Sequence, residues 1–336
     1  MADREVFEAG DFVLQSGETL PDCRLAYVTR GALDGDGSNA VLVFTHFGAR
    51  HGDCQYLVGE NMALDPRKYF IVVLNLMGNG LSSSPSNAAP PCDGPRFPVV
   101  TILDNVRLQH ALVTQRLGIR RIRLAVGHSM GAQQAFHWGA LYPDTVERVA
   151  PICGSARTSV HNACFLKGMR GVLTADPAWR GGEYEEPPAA GLRAMARAWA
   201  PWPPSQGFYR EEGYRALGHE SLDAFLVDYW ERWALSLDAN DILSQIATWL
   251  RSDIGDNDLY RGNFEAALGA IQAHAIVMPG KTDTYFPPED SEYEVARIPN
   301  AELRTIPSTW GHWAGSGRRS EDTAFIDRAL RDLLAR

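Results

Sequence analysis

The sequence predicts an α/β protein built on a doubly wound, mostly parallel β-sheet. Short runs rich in apolar and β-branched residues alternate with longer segments of helical spacing, an order typical of such sheets. Several of the short runs are apolar throughout, which is the pattern of parallel strands covered by helices on both faces. The runs predicted as strands are 23–30, 41–46, 70–76, 122–127, 148–153, 274–279 and 302–306.

Three further segments are predicted as helices of the same domain. In 102–117 the apolar residues recur on one stripe at helical spacing, and 130–142 has a similar pattern. The last segment, 320–335, opens with Ser-Glu-Asp, a signal for a helix N-terminus. Strands and helices therefore alternate, as a doubly wound sheet requires.

The middle of the chain has a different composition. Between residues 156 and 264 strand-like runs are scarce, whereas tryptophan and tyrosine are abundant and prolines interrupt the sequence. We interpret this part as a helical cap inserted between two late strands, with aromatic residues that mainly form its own core. The predicted core domain therefore comprises residues 1–155 and 265–336, and the predicted cap comprises 156–264.

The charge balance excludes several classes of partner. With 41 acidic and 32 basic residues the formal charge is −9, and no basic run occurs, so neither nucleic acid nor an anionic membrane is expected to bind. No apolar run approaches the ~18 residues that a membrane span needs. The first residues lack the features of an export signal and the five cysteines are scattered, so a cytoplasmic protein with free thiols is the expectation.

Residues 127–131, Gly-His-Ser-Met-Gly, form the most informative motif. They follow a predicted strand and precede a predicted helix. In this context the serine of G-x-S-x-G lies at a sharp strand-to-helix turn, which exposes its hydroxyl above the sheet, and the glycines avoid collisions that bulkier residues would make. Ser129 is therefore the candidate nucleophile. Because the motif alone is common by chance, the prediction depends on finding its partners.

Candidate partners for Ser129 follow later in the chain. Asp283 lies in the loop after the predicted strand 274–279, and His312 lies in the loop after 302–306. The order serine, acid, histidine is that of the α/β-hydrolases. There the histidine takes the proton of the serine and returns it to the leaving group, while the acid fixes the tautomer of the ring. Alone, Asp283 is explained as a turn residue and His312 as a surface histidine, but together with Ser129 they favour a catalytic triad.

A tetrahedral intermediate also needs two N–H donors aimed at its oxyanion. One is predicted at the backbone of Met130, directly after the nucleophile. The second is predicted in the loop 45–49, after the strand 41–46, at Gly48 or Phe47.

Other chemistries have less support in the sequence. His128 precedes the serine, but adjacent strand residues point to opposite faces, which argues against a direct chemical role. The nine histidines lack metal-binding spacing, and no nucleotide-binding glycine motif follows a strand. The sequence therefore predicts neither a metal nor another cofactor.

On these residues the sequence resembles the homoserine O-acetyltransferase family of the α/β-hydrolases. The resemblance is carried by 74–85 (Leu-Asn-Leu-Met-Gly-Asn-Gly-Leu-Ser-Ser-Ser-Pro), 97–107, 127–134, 142–144, 175–184, 237–240, 283–288 and 311–312. These segments run through most of the chain, cap included. The resemblance implies an acyl-enzyme on Ser129, a helical cap over the site, and a homodimer formed through that cap.

Two positions depart from what the resemblance implies for transferases. Those enzymes usually carry an Asp directly after the catalytic histidine to hold the ammonium group of homoserine, whereas this sequence has Trp313. They also place an Arg on the cap with a Tyr seven residues later; Arg197 matches the Arg, but position 204 is Pro. Arg197 is thus either a substrate-binding residue or a solvated, ion-paired residue of the cap.

These departures favour hydrolysis over acyl transfer. An ammonium group without a partner in a buried site costs several kcal/mol, so an uncharged alcohol portion fits better beside Trp313. We predict a serine ester hydrolase that acts on a small, largely uncharged ester. The alternatives are an O-acyltransferase that uses acyl-CoA towards homoserine or another alcohol, and a non-catalytic binding protein on the same fold, against which an intact triad speaks.

Overall fold

A single sheet forms the centre of the protein in the computed structural model, which describes residues 4–336. Within these residues the sheet has eight strands in the order β1-β2-β4-β3-β5-β6-β7-β8. The strands are β1 (Glu5–Val13), β2 (Thr19–Arg30), β3 (Ala40–Phe44), β4 (Phe70–Leu74), β5 (Leu124–His128), β6 (Arg148–Ile152), β7 (His274–Val277) and β8 (Ala301–Leu303).

Most neighbouring strands run parallel. β3 pairs in parallel with β4 and β5, and the parallel pairing continues through β8, whereas β1 and β2 add an antiparallel edge. The predicted mostly parallel sheet is confirmed. The sequence did not predict β1, because this edge strand is largely exposed and its register shifts around Gly10, so it lacks an apolar run.

Apolar layers cover both faces of the sheet. In β3, Leu42 and Phe44 point into one layer and Val41 and Val43 into the other, as the alternation of a strand dictates. The first layer contains side chains of α1 and α2, and the second contains those of α11. The helices are α1 (Ile102–Ala111), α2 (Met130–Leu141), α3 (Val160–Thr174), α4 (Ala189–Trp199), α5 (Gln206–Arg210), α6 (Leu222–Phe225), α7 (Arg232–Leu235), α8 (Ala239–Leu250), α9 (Phe264–Gly269), α10 (Pro288–Val295) and α11 (Ser320–Leu334).

Between residues 4 and 336, no helix combines the length and the hydrophobicity that crossing a bilayer demands. The helices α3 to α8 lie in the chain between β6 and β7. The two ends of this insertion meet, since Arg157 bridges Asp253 in an antiparallel pair and the Ile254 N–H donates to the Ala156 carbonyl at 3.1 Å. We keep the name cap for 156–264; its division from the core stays a prediction.

Two helical segments contain a π-helical turn, which is wider than the α-helix that the spacing of apolar residues predicts. The predicted helix 102–117 is α-helical only to Ala111 and continues as a π-helical turn over Leu112–Arg116. A second π-helical turn, Leu226–Glu231, lies in the cap. Such turns insert an extra residue into a helix and occur frequently at functional sites.

Candidate active site

Ser129 lies at the turn between β5 and α2, where the motif predicts it. Its backbone has φ 59° and ψ −123°, a conformation that L-residues seldom adopt. The turn is possible because both flanking glycines are in close contact with backbone. A Cβ atom on Gly127 would lie 2.5 Å from Gly131, and one on Gly131 would lie 2.5 Å from the Phe44 carbonyl oxygen. The Ser129 N–H donates to the Ile152 carbonyl at 2.9 Å, which fixes the turn on β6.

Asp283 and His312 form a buried hydrogen-bonded pair. The Nδ1 atom of His312 lies 2.7 Å from Oδ2 of Asp283. The other carboxylate oxygen accepts the backbone N–H groups of Tyr285 at 2.8 Å and Phe286 at 3.2 Å. With Oδ1 held by two donors, Oδ2 accepts from Nδ1–H. The Nε2 atom of His312 is therefore left with a free lone pair, the state that a general base requires.

Ser129 and His312 line the same cavity, which has a volume of about 670 Å³. Across the described residues, neither the Ser129 hydroxyl nor His312 Nε2 makes a hydrogen bond to another protein group. Catalytic hydrogen bonds are often long without substrate and shorten in the complex. The structure thus brings Ser129 and His312 to one cavity, and Asp283 orients His312 through the bond to Nδ1.

The predicted oxyanion donors differ in their availability. Met130 is the first residue of α2, and its N–H has no acceptor among residues 4–336, as expected at a helix N-terminus. The Phe47 N–H likewise has none in that range. The Gly48 N–H instead donates to Oε1 of Gln245 on α8 at 2.7 Å. Of the two alternatives predicted for the second donor, Gly48 is therefore excluded. Phe47 and Met130 remain as the candidate donors with a free N–H.

Aromatic side chains form much of the cavity wall. Phe47 stacks on Trp199 with ring centroids 4.9 Å apart, and the cap supplies most of the other rings. Of the eleven tryptophans and tyrosines of the cap, five line the cavity, so fewer of them serve only the core of the cap than the sequence predicted. They are Trp199, Tyr229, Trp230, Trp233 and Trp249.

Three histidines in the cavity wall contact one another through their rings. The ring centroids of His46 and His128 lie 4.9 Å apart, and those of His128 and His312 lie 4.5 Å apart. The Nε2–H of His128 donates to the backbone carbonyl of His312 at 3.1 Å. His128 therefore supports the loop that carries His312 with its one N–H, and it lines the same cavity as Ser129 rather than pointing to the opposite face as the strand alternation predicted. Its lack of a direct chemical role stays a prediction.

Burial keeps some of these histidines neutral. Burial, together with the charges of His312 and His46, holds the pKa of His128 well below its usual range. Burial also lowers the pKa of His137, on α2, to about 4. Both rings are at least nine-tenths buried. Protonating them in the folded protein would place a positive charge in an apolar environment.

This burial predicts a loss of stability on acidification. Below pH ~6.5 the unfolded chain takes up protons on His128 and His137 that the folded chain excludes, so the free energy of unfolding falls as the pH falls towards 4. For His137 this loss amounts to about 1.5 kcal/mol between pH 6.5 and 5, and His128 adds to it in the same direction. The variant His137→Asn keeps an N–H donor to the Gln133 carbonyl through its side-chain amide. In denaturant unfolding, its free energy of unfolding should fall by that much less than the parent's between pH 6.5 and 5.

The control for this measurement is His274→Asn, because His274 is exposed at the start of β7. It should leave the pH dependence of the parent unchanged. Burial raises the pKa of Asp241 to about 6, and proton uptake there opposes the loss. The comparison is therefore between variant and parent at each pH. An equal pH dependence for His137→Asn and the parent would contradict the prediction.

Comparison with known proteins places this geometry in a family. Residues 41–316 match the model of the alpha/beta hydrolase fold. The chain belongs to the α/β-hydrolase family. It is 39% identical to an ethyl acetate hydrolase of Pseudomonas veronii over 98% of this chain and 95% of that one. It is 32% identical to a homoserine O-acetyltransferase of Trichormus variabilis over 90% and 86%.

A solved structure agrees with the family. The acetyl esterase MekB superimposes on this α/β-hydrolase with a TM-score of 0.97 and 38% identity, over 99% of this chain and 97% of that one. The fold class predicted from the sequence is confirmed. The predicted resemblance to the homoserine O-acetyltransferase group, on its esterase side, is confirmed as well.

Trp313 lies in the cavity wall of this α/β-hydrolase, directly after His312. Its ring stacks on that of Trp230 with centroids 5.6 Å apart and an interplanar angle of 12°. It also meets Phe208, Phe225 and Tyr229 edge to face. The side chain that replaces the transferase carboxylate is therefore packed into an aromatic cluster shared by cap and core.

Arg197 does not take the substrate-binding position predicted for it. It lies on α4 and its guanidinium pairs with Glu231, which Arg193 also approaches at 3.4 Å. Its side chain is half exposed and is absent from the cavity wall. The prediction of a substrate-binding Arg197 is corrected to the other reading, an ion-paired residue on the outside of the cap.

Two residues of this α/β-hydrolase site escaped the sequence analysis. Gln245 holds the oxyanion loop through Gly48 from 197 positions away in sequence. No local pattern could reveal such a contact. Arg318 also lines the cavity, six residues after His312. Its position in the same loop region as His312 is the feature of the sequence that could have indicated it.

Proposed function

We propose that this protein is a serine ester hydrolase for small acetate-type esters, with Ser129 as nucleophile, His312 as general base and acid, and Asp283 as the residue that orients His312. The observation that carries the proposal is that Asp283 holds His312 by a hydrogen bond, and that His312 lines the same cavity as Ser129. The ethyl acetate hydrolase and acetyl esterase names of relatives at 39% and 38% identity support the same choice.

In the first half of the reaction Ser129 Oγ attacks the carbonyl carbon of the ester while Nε2 of His312 takes its proton. The carbonyl oxygen becomes an oxyanion, for which the free N–H groups of Phe47 and Met130 are the available donors. The intermediate then breaks its bond to the alcohol oxygen. His312 returns the proton to that oxygen, the alcohol leaves, and an acyl-enzyme remains on Ser129.

In the second half water takes the place of the alcohol. His312 accepts a proton from the water molecule while the water oxygen attacks the acyl carbon. The same two N–H groups again donate to the oxyanion. When the intermediate collapses, Ser129 regains its proton from His312 and the carboxylic acid leaves. Water reaches the cavity past the exposed side chains in its wall, Arg50, Asp53 and Arg318.

The aromatic environment of Trp313 favours water over homoserine as the final acceptor. The residue directly after His312 offers no carboxylate to pair with an ammonium group, since Trp313 is an indole packed on Trp230. An amino-acid acceptor would therefore lack a partner for its positive charge at this position of the wall. Acyl transfer from acyl-CoA stays the alternative, because relatives named homoserine O-acetyltransferase are 32% identical.

A paired assay separates the two reactions. With ethyl acetate or p-nitrophenyl acetate and no added alcohol, the enzyme should release acetate at a steady rate. With acetyl-CoA and homoserine it should release coenzyme A much more slowly, and homoserine should not accelerate that release. Both are followed continuously, by proton release and by thiol titration. Homoserine-dependent release of coenzyme A that exceeds ester hydrolysis would contradict the proposal.

The homodimer through the cap stays a prediction of the family resemblance. No metal or organic cofactor enters any step of this mechanism.

A further inference from the structure

An arginine without a carboxylate partner lies in the wall of the active-site cavity. The guanidinium carbon of Arg318 is 4.7 Å from the ring centroid of Trp313 and 5.6 Å from that of Tyr229. Its Nη2 donates to the Tyr229 hydroxyl. Within residues 4–336 no carboxylate oxygen lies within 4 Å of this guanidinium. The next residue, Arg319, differs, since it approaches Glu321 at 3.3 Å and Asp322 at 3.8 Å.

The backbone before Arg318 is fixed by its packing. Gly317 has φ +75°, and a Cβ atom there would lie 2.3 Å from the ring of Tyr56. The Tyr56 hydroxyl in turn donates to the carbonyl of Gly315. The segment between His312 and Arg318 is therefore held against Tyr56, and Arg318 has a defined position relative to the catalytic histidine.

The π-helical turn of the cap positions the aromatic side of this contact. Tyr229 and Trp230 are consecutive residues of the turn Leu226–Glu231, and both line the cavity. A guanidinium stacked on aromatic rings keeps its orientation, so it loses less conformational freedom when it binds a ligand. Arg318 is thus prepared to bind before any substrate arrives.

The other charges in the cavity wall leave an excess of positive charge. The charged side chains there are Arg50, Arg318 and Asp53. One oxygen of Asp53 already accepts the backbone N–H of Arg50 at 2.8 Å. The positive charge of Arg318 also reaches the base of the cavity. It contributes, after burial, to lowering the pKa of His46 to about 3.

We propose that Arg318 is a specificity-determining residue that binds a carboxylate on the part of the ester remote from the reacting carbonyl. The preferred substrates are then acetate esters of hydroxy acids, hydrolysed to acetate and the hydroxy acid. This inference rests on the proposed ester hydrolysis, and it replaces the largely uncharged ester expected from the sequence by an anionic one. A planar guanidinium matches a carboxylate with two parallel hydrogen bonds, which are stronger than those between neutral groups.

The test compares two esters of the same shape, 4-acetoxybutanoate and its neutral amide, 4-acetoxybutanamide. For the parent enzyme at low ionic strength, kcat/KM should be about tenfold higher for the anion, the effect of one charge-assisted contact. Added salt should reduce the preference, since it screens charges in a cavity wall open to water. Acetates of shorter and longer hydroxy acids then measure the distance that the guanidinium spans.

Arg318→Gln should raise KM for the anion about tenfold and leave kcat for the anion and both constants for the amide unchanged. Arg318→Lys should keep part of the preference, because it keeps the charge but loses the planar geometry. Arg319→Gln is the matched control and should behave as the parent enzyme. Thermal unfolding of all three variants checks that the fold is retained.

The possible results separate this inference from the proposed function. Equal kcat/KM for anion and amide in the parent would overturn the role of Arg318, and so would an Arg318→Gln variant that loses both substrates to the same extent, which is the mark of a purely structural role. Hydrolysis of p-nitrophenyl acetate in the same preparation would leave the proposed function standing in either case. Failure to cleave any of the three esters would overturn both.

Discussion

Replacing Ser129 by alanine should lower kcat for acetate ester hydrolysis by at least about 10⁴-fold. The hydroxyl oxygen is the atom that forms the acyl-enzyme, and no other group can take over that bond at the same place. The fold should be unaffected, because alanine also has a Cβ atom and meets the same backbone strain at φ 59°. Steady-state rates with p-nitrophenyl acetate measure the effect. Mass spectrometry of the quenched parent enzyme should find the acetyl group on the peptide that contains residue 129.

Ser252→Ala is the matched control for this experiment. Ser252 is also a buried serine, and its hydroxyl has no hydrogen-bond partner in the described part of the chain. Its removal should leave kcat and KM at the parental values. Retained turnover in Ser129→Ala, or acetylation of a different peptide, would show that the nucleophile is misassigned.

Replacing Asp283 by asparagine should lower kcat by about 10⁴-fold with little change in KM. The backbone N–H groups of Tyr285 and Phe286 point at one oxygen of this side chain, so the asparagine must keep its carbonyl oxygen there. Its NH₂ group then faces Nδ1 of His312, which becomes the acceptor. The proton of the neutral ring moves to Nε2, and His312 can no longer take the proton of Ser129.

Asp290→Asn serves as the control for Asp283→Asn. Asp290 lies seven residues later, on α10, and has no side chain of the proposed triad as its hydrogen-bond partner. It should retain the parental kcat. NMR of the imidazole N–H protons adds a direct readout of the tautomer, since only Asp283→Asn should move the ring proton of His312 from Nδ1 to Nε2. An Asp283→Asn enzyme with near-parental kcat would contradict the role assigned to Asp283.

The parallel centre of the fold could be predicted because its strands are apolar on both faces. The run in β3, Ala-Val-Leu-Val-Phe, is buried at every position, and so are the runs of β5 and β6. The edge strand β1 escaped because its side chains are mostly exposed and its register is irregular. The π-helical turns escaped for another reason, since a single inserted residue leaves the apolar spacing almost unchanged.

The triad could be predicted because each member follows a strand, and the carboxyl ends of parallel strands meet at one edge of the sheet. The hydrogen-bond partners of the site's backbone and the ion-pair partners of its charged groups could not be predicted in this way. Whether Gly48 or Phe47 has a free N–H depends on Gln245, which arrives from α8. Whether Arg197 meets substrate depends on Glu231, which neutralises it on the outside of the cap. Such contacts between distant segments leave no trace in spacing or composition.

The hydrogen bond from the Gly48 N–H to Gln245 couples the geometry of the loop 45–49 to the position of the cap helix α8. A change of cap sequence that shifts α8 along its axis pulls on the peptide plane next to Phe47, even when every wall residue is kept. We therefore expect substitutions elsewhere in the cavity wall to change the substrate range with less loss of activity than substitutions that displace α8.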